Sequence, residues 1–367
     1  MITVRLATDR DVEALRDLFM SRYGEDYPYP EFYDTEWLKR SVYDDKTLVV
    51  VAETEGAIVA TGSVVLNAGD YDDLVAEIGR MVTARSPSAK GAAKAVVADL
   101  MKRMERRTMF AYAEVRTVHE RAQALIESFG WCPVGFEPLK YRLAERESMV
   151  IYANLQPMSL ELRRNNPRVI PEAAPLAQTA LKSLGLPVDV IVDDEAEGYP
   201  TSRTFETERL REQGVTPILR IERGRVSNRE VFGNFSLAHG FFSIADTDTH
   251  YVVARDGEAV LGAIGFTWDP IDSKVRVFEL IEFNDAVKGF LLAEVDRLAR
   301  DEFGAVYQEM DVSAYAPKVQ RTLERLGFVP VSYCPSMVFS HVERLDVIRM
   351  AKLNLPYDPG AVKLLDG

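Results

Sequence analysis

The chain has 367 residues, 47% of them hydrophobic and 28% charged, which is length enough for two domains and excludes a disordered, collagen-like or membrane-spanning chain. Its 57 acidic residues outnumber 44 basic ones, a net charge of −13. That balance excludes general affinity for nucleic-acid phosphates or anionic lipid, though not one local basic pocket. Cys132 and Cys334 are too few for a disulfide framework or zinc knuckle, and His119, His239, His250 and His341 are scattered, so no metal is expected. The charged N-terminus carries no apolar run, which predicts neither a signal peptide nor a membrane span, and hence a cytoplasmic protein.

Met1–Leu6 reads as a short strand, with Asp9 placed to cap a helix carrying Val12, Leu15, Leu18 and Phe19. Residues 23–38, with two prolines among crowded aromatics, predict a loop into a second helix near Thr35–Val42. Leu48–Glu53 and Ala57–Leu66 flank Glu55-Gly56 as a hairpin. A polar loop, 67–73, leads to a strand from Val75 to about Ala84. Then come a helix with the apolar stripe Val96, Val97, Leu100, Met101 and Met104, a strand (Met109–Val115), a helix (His119–Phe129) and a strand pair around Trp131–Leu143. The order β-α-α-β-β-β-α-β-α-β is an α/β arrangement on a mixed sheet, not a dinucleotide fold, which would open on strand, glycine loop and helix.

Four prolines within 156–175 mark a domain junction, and Asp193–Pro200 an acidic loop. The last third then repeats the first. A hairpin at Asp256-Gly257 joins Tyr251–Ala254 to Ala259–Trp268, followed by a strand (Val275–Phe283), a helix (Asp285–Arg300), a strand (Ala305–Val312) and a helix (Lys318–Leu326). Both halves close similarly, Gly130-Trp131-Cys132-Pro133-Val134 and Gly327-Phe328-Val329-Pro330-Val331. The expected division is 1–150, a linker 151–176, and 177–367.

The most informative stretch runs from Glu77 to Met104. A strand enters the small-residue turn Ser88-Ala89-Lys90-Gly91-Ala92-Ala93, which opens a helix. Such a turn serves either tight strand–helix packing or a pyrophosphate held on bare N–H groups, with Lys90 adding a positive charge. In this order of elements the chain resembles the GNAT superfamily of acyl-CoA-dependent N-acyltransferases. Gly91 and Ala93 match the small positions of that family's Arg/Gln-x-x-Gly-x-Gly/Ala loop, with Ser88 where Arg or Gln is usual. Glu77-Ile78-Gly79-Arg80-Met81-Val82 resembles its fourth strand, and Ala122, Leu125 and Gly130-Trp131 resemble its closing signature.

The resemblance implies two tandem GNAT-like domains. It also implies acetyl-CoA or a longer acyl-CoA bound along Met81, Val82 and Thr83 and on Ser88–Ala93, with no metal. Glu77 stands where some members carry a general base; a solvent-side strand glutamate is the competing reading. The family's usual tyrosine acid is replaced by Ile126 and its usual Asn by His119, so either the thiolate leaves with water's help or Tyr112 or Tyr141 substitutes, a buried structural tyrosine being the competing reading of each. The first interhelical loop lines the acceptor mouth in this fold, so Glu25, Asp26, Tyr27 and Tyr29 are candidates for holding a cationic amine, with Asp70-Tyr71-Asp72-Asp73 flanking them. The second half lacks the phosphate loop, having Glu282–Phe290 instead, and reads as a degenerate repeat that packs against the first and can complete the acceptor pocket. Phe241-Phe242 and the Trp268-Asp269-Pro270 turn read as core and hairpin features.

The activity expected is acyl transfer to a primary amine of a metabolite or of a peptide side chain, by a monomer or homodimer. A ligand-binding protein without turnover is the alternative. Aminoacyl transfer from tRNA is a third reading, opposed by the net charge.

Overall fold

The computed structural model describes residues 1–25, 27–66, 73–202, 204–211, 230–233, 248–282 and 284–358. Strand β1 (Thr3–Leu6) pairs antiparallel with β2 (Thr47–Thr54), and β2 with β3 (Ala57–Leu66). That hairpin closes at Glu55 and Gly56, both at positive φ as a two-residue turn requires. Helix α1 (Val12–Tyr23) begins beyond Asp9, which lies instead in a 3-10 turn. The Asp11 carboxylate closes that turn rather than capping α1: it accepts from the backbone N–H and hydroxyl of Thr8 and pairs with Arg5 at 2.6 Å. Helix α2 (Thr35–Tyr43) is capped by Asp34. Then follow β4 (Val75–Thr83), α3 (Ala92–Met104), β5 (Phe110–Arg116), α4 (Glu120–Glu127), β6 (Cys132–Arg142) and β7 (Arg146–Leu155). The stripe Val96, Val97, Leu100 and Met104 is buried against the sheet.

The chain continues through α5 (Pro157–Glu161), β8 (Arg168–Val169), α6 (Ala174–Ser183) and β9 (Ile191–Val192). Next are β10 (Glu206–Arg211), β11 (Val231–Phe232), β12 (Asp248–Asp256), β13 (Ala259–Asp269) and β14 (Lys274–Glu282). It ends with α7 (Asp285–Asp301), β15 (Tyr307–Ser313), α8 (Pro317–Arg325), β16 (Val329–Ser340) and β17 (Glu343–Leu353). Strand β7 therefore runs five residues past the expected boundary at 150, because Met149–Leu155 pair with β5.

Among the described residues, fifteen strands form one mixed sheet. From one edge it reads β1-β2-β3-β4-β5-β7-β6 and from the other β10-β12-β13-β14-β15-β17-β16, the two series meeting where β6 pairs with β16. Each series has one parallel pair, β4 with β5 and β14 with β15, at the corresponding place. At the seam Gly135 faces Ser332, so closely that a Cβ on Gly135 would lie 2.2 Å from the Ser332 Cβ. Helix α6 packs over both β6 and β16, and one hydrophobic core includes Val134 and Ile151 from the first series and Tyr333 and Ile348 from the second. No helix among the described residues is long and apolar enough to cross a membrane.

Candidate active site

The parallel pairing of β4 with β5 runs only from Val75–Phe110 to Glu77–Tyr112. Beyond it β4 continues to Thr83 and β5 to Arg116 without a ladder between them. A bulge at Arg80-Met81, opposite Gly62, helps bend β4 away, with Arg80 at φ +54°. Gly62 is needed beside it, since a Cβ there would lie 2.9 Å from Val96 Cγ1. The strands thus form a wedge, which opens into a cavity of about 1090 Å³.

The small-residue turn forms one end of this cavity. Gly91, at φ +86°, precedes α3, no side chain caps the helix, and the Ala95 N–H is the first to bond back, to the Gly91 carbonyl at 3.1 Å. The N–H groups of the first turn therefore face outward uncovered by side chains. Met81, Val82, Thr83, Ala89, Gly91 and Ala93 line the cavity. Ser88 and Lys90 do not; both are exposed, and Ser88 is bonded to Ser86. Ala92 also does not, because the helical period turns it into the core. Arg85, just before the turn, and Arg121, in the first turn of α4, also line the cavity and belong to no loop motif.

At the apex of the wedge the Tyr112 hydroxyl donates to Glu77 Oε2 at 3.2 Å, and Arg80 Nη2 lies 2.7 Å from Glu77 Oε1. Burial pushes the Tyr112 phenol well above its ordinary range, and the neighbouring Glu77 and Glu114 charges push the same way. Burial opposes the charge on Arg80, but Glu77 outweighs it and holds the guanidinium protonated. Ile126 is buried in the cavity wall. His119 lies at the start of α4, exposed, lining the cavity without capping the helix; partial burial and Arg116 lower its pKa.

Of the interhelical loop, Tyr27 and Tyr29 line the cavity. Tyr27 is held by the rings of Tyr23 at 4.7 Å and Phe32 at 5.3 Å. Glu25 is exposed and outside the lining, since the chain turns at Gly24 and carries it to the surface. Asp26, Asp70, Tyr71, Asp72, Phe241 and Phe242 lie outside the described residues. Asp73 is buried and serves as a joint, accepting from the Phe339 N–H at 2.7 Å.

The opposite wall comes from the second half of the chain, where Thr267, Asp269, Asp272, Lys274 and Arg276 reach the same cavity. The turn read from the sequence as a hairpin feature is thus part of the site. Tyr29 donates to Asp272 Oδ2 at 2.8 Å, tying the two walls together, and the Arg142 N–H donates to Asp272 Oδ1 at 2.8 Å. The only signal available was the density of charge in Asp269-Pro270-Ile271-Asp272-Ser273-Lys274, which any exposed turn can carry.

Beneath the cavity lies a buried ion network across the seam. Lys140 Nζ is 2.8 Å from both Glu114 and Glu137 and 3.0 Å from Glu309. Arg349 pairs with Glu137 at 2.7 Å and Asp311 at 2.7 Å. Burial alone would raise Glu114, but Lys140 and Arg349 bring it down to about 2. Tyr141, the other substitute acid, donates to Glu114.

The second wedge, between β14 and β15, is filled. Their pairing ends at Val277–Met310, and β11 lies beyond it, paired with β15 at Val312 and Asp311. Gly233 passes so close that a Cβ would sit 2.7 Å from Phe278 Cα. Asn284 caps α7 by accepting from Val287 N–H at 3.0 Å, and a Cβ on Gly289 would lie 2.1 Å from the Pro200 carbonyl oxygen. Among the described residues no group of three or more His, Cys, Asp or Glu is placed to hold a metal ion.

Residues 12–131, which carry the open wedge and the uncapped helix, match the sequence model of the acetyltransferase (GNAT) family. The similarity to that family covers about a third of the chain. Similar solved structures include a ribosomal-protein-alanine N-acetyltransferase from Brucella melitensis, 20% identical, over 42% of this chain and 99% of that one, with a TM-score of 0.37. A spermidine N-acetyltransferase mutant from Vibrio cholerae is 16% identical over 42% of this chain and 94% of its own, with a TM-score of 0.37. A putative acetyltransferase from Salmonella typhimurium, solved with acetyl-CoA, is 15% identical over 42% and 93%, again with a TM-score of 0.37. No curated protein matches the chain at a significant level.

Proposed function

We propose that this chain is an acyl-CoA-dependent N-acyltransferase whose GNAT region binds acetyl-CoA or a longer acyl-CoA and acylates a primary amine of a metabolite or peptide. In this reading the catalytic module, expected over 1–150, extends to the end of β7 at Leu155, the segment up to 176 is a linker, and 177–367 form a degenerate second GNAT-like module. The protein works in the cytoplasm as a monomer or homodimer, without nucleic acid or membrane as partner. The observation that carries the reading is that the uncapped start of α3, the strand wedge and the Glu77–Tyr112 pair line one continuous cavity.

The residues suit each part of the chemistry. N–H groups at the start of α3 suit a pyrophosphate, the free backbone edge of Met81–Thr83 suits an amide-bearing arm, and Arg85 and Arg121 supply the positive charge missing from Ser88 and Lys90. Acyl-CoA would supply the acyl group as a thioester: the amide C–N bond would form as the C–S bond breaks, and CoA would leave as a thiolate that takes a proton from water. Glu77 accepts the proton that the amine must lose, while Tyr112 and Arg80 orient its carboxylate. Tyr112 stays neutral and keeps its proton at physiological pH. The filled second wedge and the Asn284 cap fit a second module that binds no acyl-CoA.

Calorimetric titration with acetyl-CoA, octanoyl-CoA and free CoA tests this. Binding by the wild type, lost in Gly91→Glu and Ala93→Glu, is the expected outcome; no binding of any of the three sinks the reading. Glu77→Gln is expected to keep acetyl-CoA affinity while kcat on a primary amine falls roughly 10²–10⁴-fold. Retained binding with no acylation of any amine by the wild type would favour a binding protein without turnover.

A further inference from the structure

The β13–β14 turn belongs to the half whose own wedge is filled, yet it reaches into the cavity of the other half. Lys274 opens β14 there, with its ammonium 4.6 Å from the centre of the Tyr141 ring and its side chain only 6% exposed. Among the described residues this ammonium makes no hydrogen bond: the carboxylates of Asp269 and Asp272 are each 3.8 Å away. Both oxygens of Asp272 and one of Asp269 are engaged elsewhere, and the Asp269 Oδ2 that faces Lys274 stays beyond hydrogen-bond distance. Asp269 Oδ1 accepts from the N–H groups of Ile271 at 3.0 Å and Asp272 at 3.2 Å. Asp272 accepts from the Arg142 N–H and the Tyr29 hydroxyl, each at 2.8 Å. The two aspartates hold the turn and the loop in place and balance the charge of Lys274, but they leave its donors unspent.

An ammonium that opens onto a cavity offers its unspent donors to an oxygen bound there. The space in front of Lys274 is the cavity, on the wall facing Tyr29 and the interhelical loop. We propose that Lys274 receives an oxygen of the amine substrate, its carboxylate or amide carbonyl, so that the acceptor is an amino acid, an amino-acid amide or a short peptide rather than a diamine or polyamine. This rests on the acyltransferase reading of the cavity. A diamine would bring a second ammonium against Lys274, where like charges repel.

Matched acceptors test the proposal with acetyl-CoA as donor: lysine, lysinamide and cadaverine, then ornithine, ornithinamide and putrescine. The oxygen-bearing members should have kcat/KM roughly tenfold or more above their diamines. Lys274→Met should abolish that preference through KM with acetyl-CoA affinity unchanged, and Lys274→Arg should keep it. A preference confined to lysine and ornithine assigns the carboxylate; one shared by the amides assigns the carbonyl. Diamines acylated as well as their counterparts, a preference that survives Lys274→Met, or no acylation of the set while acetyl-CoA still binds, each overturns the proposal. Should Lys274→Met fail to bind acetyl-CoA, Lys274→Gln is read in its place. Failure of the wild type to bind acetyl-CoA overturns the acyltransferase reading itself, and is thereby distinguished from failure of the acceptor assignment.

Discussion

Single side chains carry both the stability of the seam and the shape of the site. Lys140 holds three carboxylates, from β5, β6 and β15, within 3.0 Å. Removing a buried cation from such a set leaves charges in a medium that cannot solvate them. Lys140→Met should therefore lower stability by about 3–5 kcal/mol in urea unfolding. An unchanged midpoint would mean that the carboxylates are protonated or hydrated. Tyr29 acts at the same scale on the site: its bond to buried Asp272 fixes the loop that carries Tyr27. Losing one neutral-to-charged hydrogen bond is worth about 1.5–3 kcal/mol. In steady-state kinetics Tyr29→Phe should raise KM for the amine roughly tenfold and leave the KM for acyl-CoA unmoved. Much of this was readable as chemistry but not as position. Glu77 and Tyr112 are candidates through the family resemblance, and they meet because parallel register sets them side by side. Glu25 and Lys90 were picked for charge and lie at the surface, since charge alone favours solvent.

At the scale of elements, the two wedges differ in what fills them. In the first, β4 and β5 part around a cavity; in the second, β11 occupies the gap and Asn284 caps the helix. The change leaves an acid stranded. Burial lifts Glu282 to about 7, against the pull of Lys288 3.1 Å away. An unfolded glutamate titrates near 4.3, so the folded chain binds the extra proton between about pH 4.3 and 7. That contribution to stability is fully present below the lower value and is lost as pH rises through the upper one. Glu282→Gln should flatten the fall in stability across this window, measured by denaturant midpoints at several pH values. A slope equal to the wild type's would assign the proton elsewhere. The sequence foretold that this turn lacks bare N–H groups, from Asn284, Asp285 and the bulky residues after them. It did not foretell the strand in the gap, which is two residues long and lies far from β14 along the chain.

For the molecule as a whole, the seam turns two similar strand series into one sheet and places the β13–β14 turn over the first cavity. Gly135 permits it, because any side chain there would collide with Ser332. Gly135→Val should force β6 and β16 apart, costing about 1–3 kcal/mol or more, and should make the site more accessible. Calorimetry would then show two thermal transitions in place of one, whereas a single unshifted transition would mean that the seam adds little. The sequence by itself determined the order of elements in the first 155 residues and the small-residue turn that opens α3. These depend on local period, turn chemistry and capping, which act over a few residues. Only the tertiary structure decided that Asp272 and Lys274 share a cavity with Tyr29 and Glu77, and that one wedge is open and the other closed. Those facts depend on which distant strand edges meet, and pairing across more than a hundred residues leaves no periodic trace along the chain.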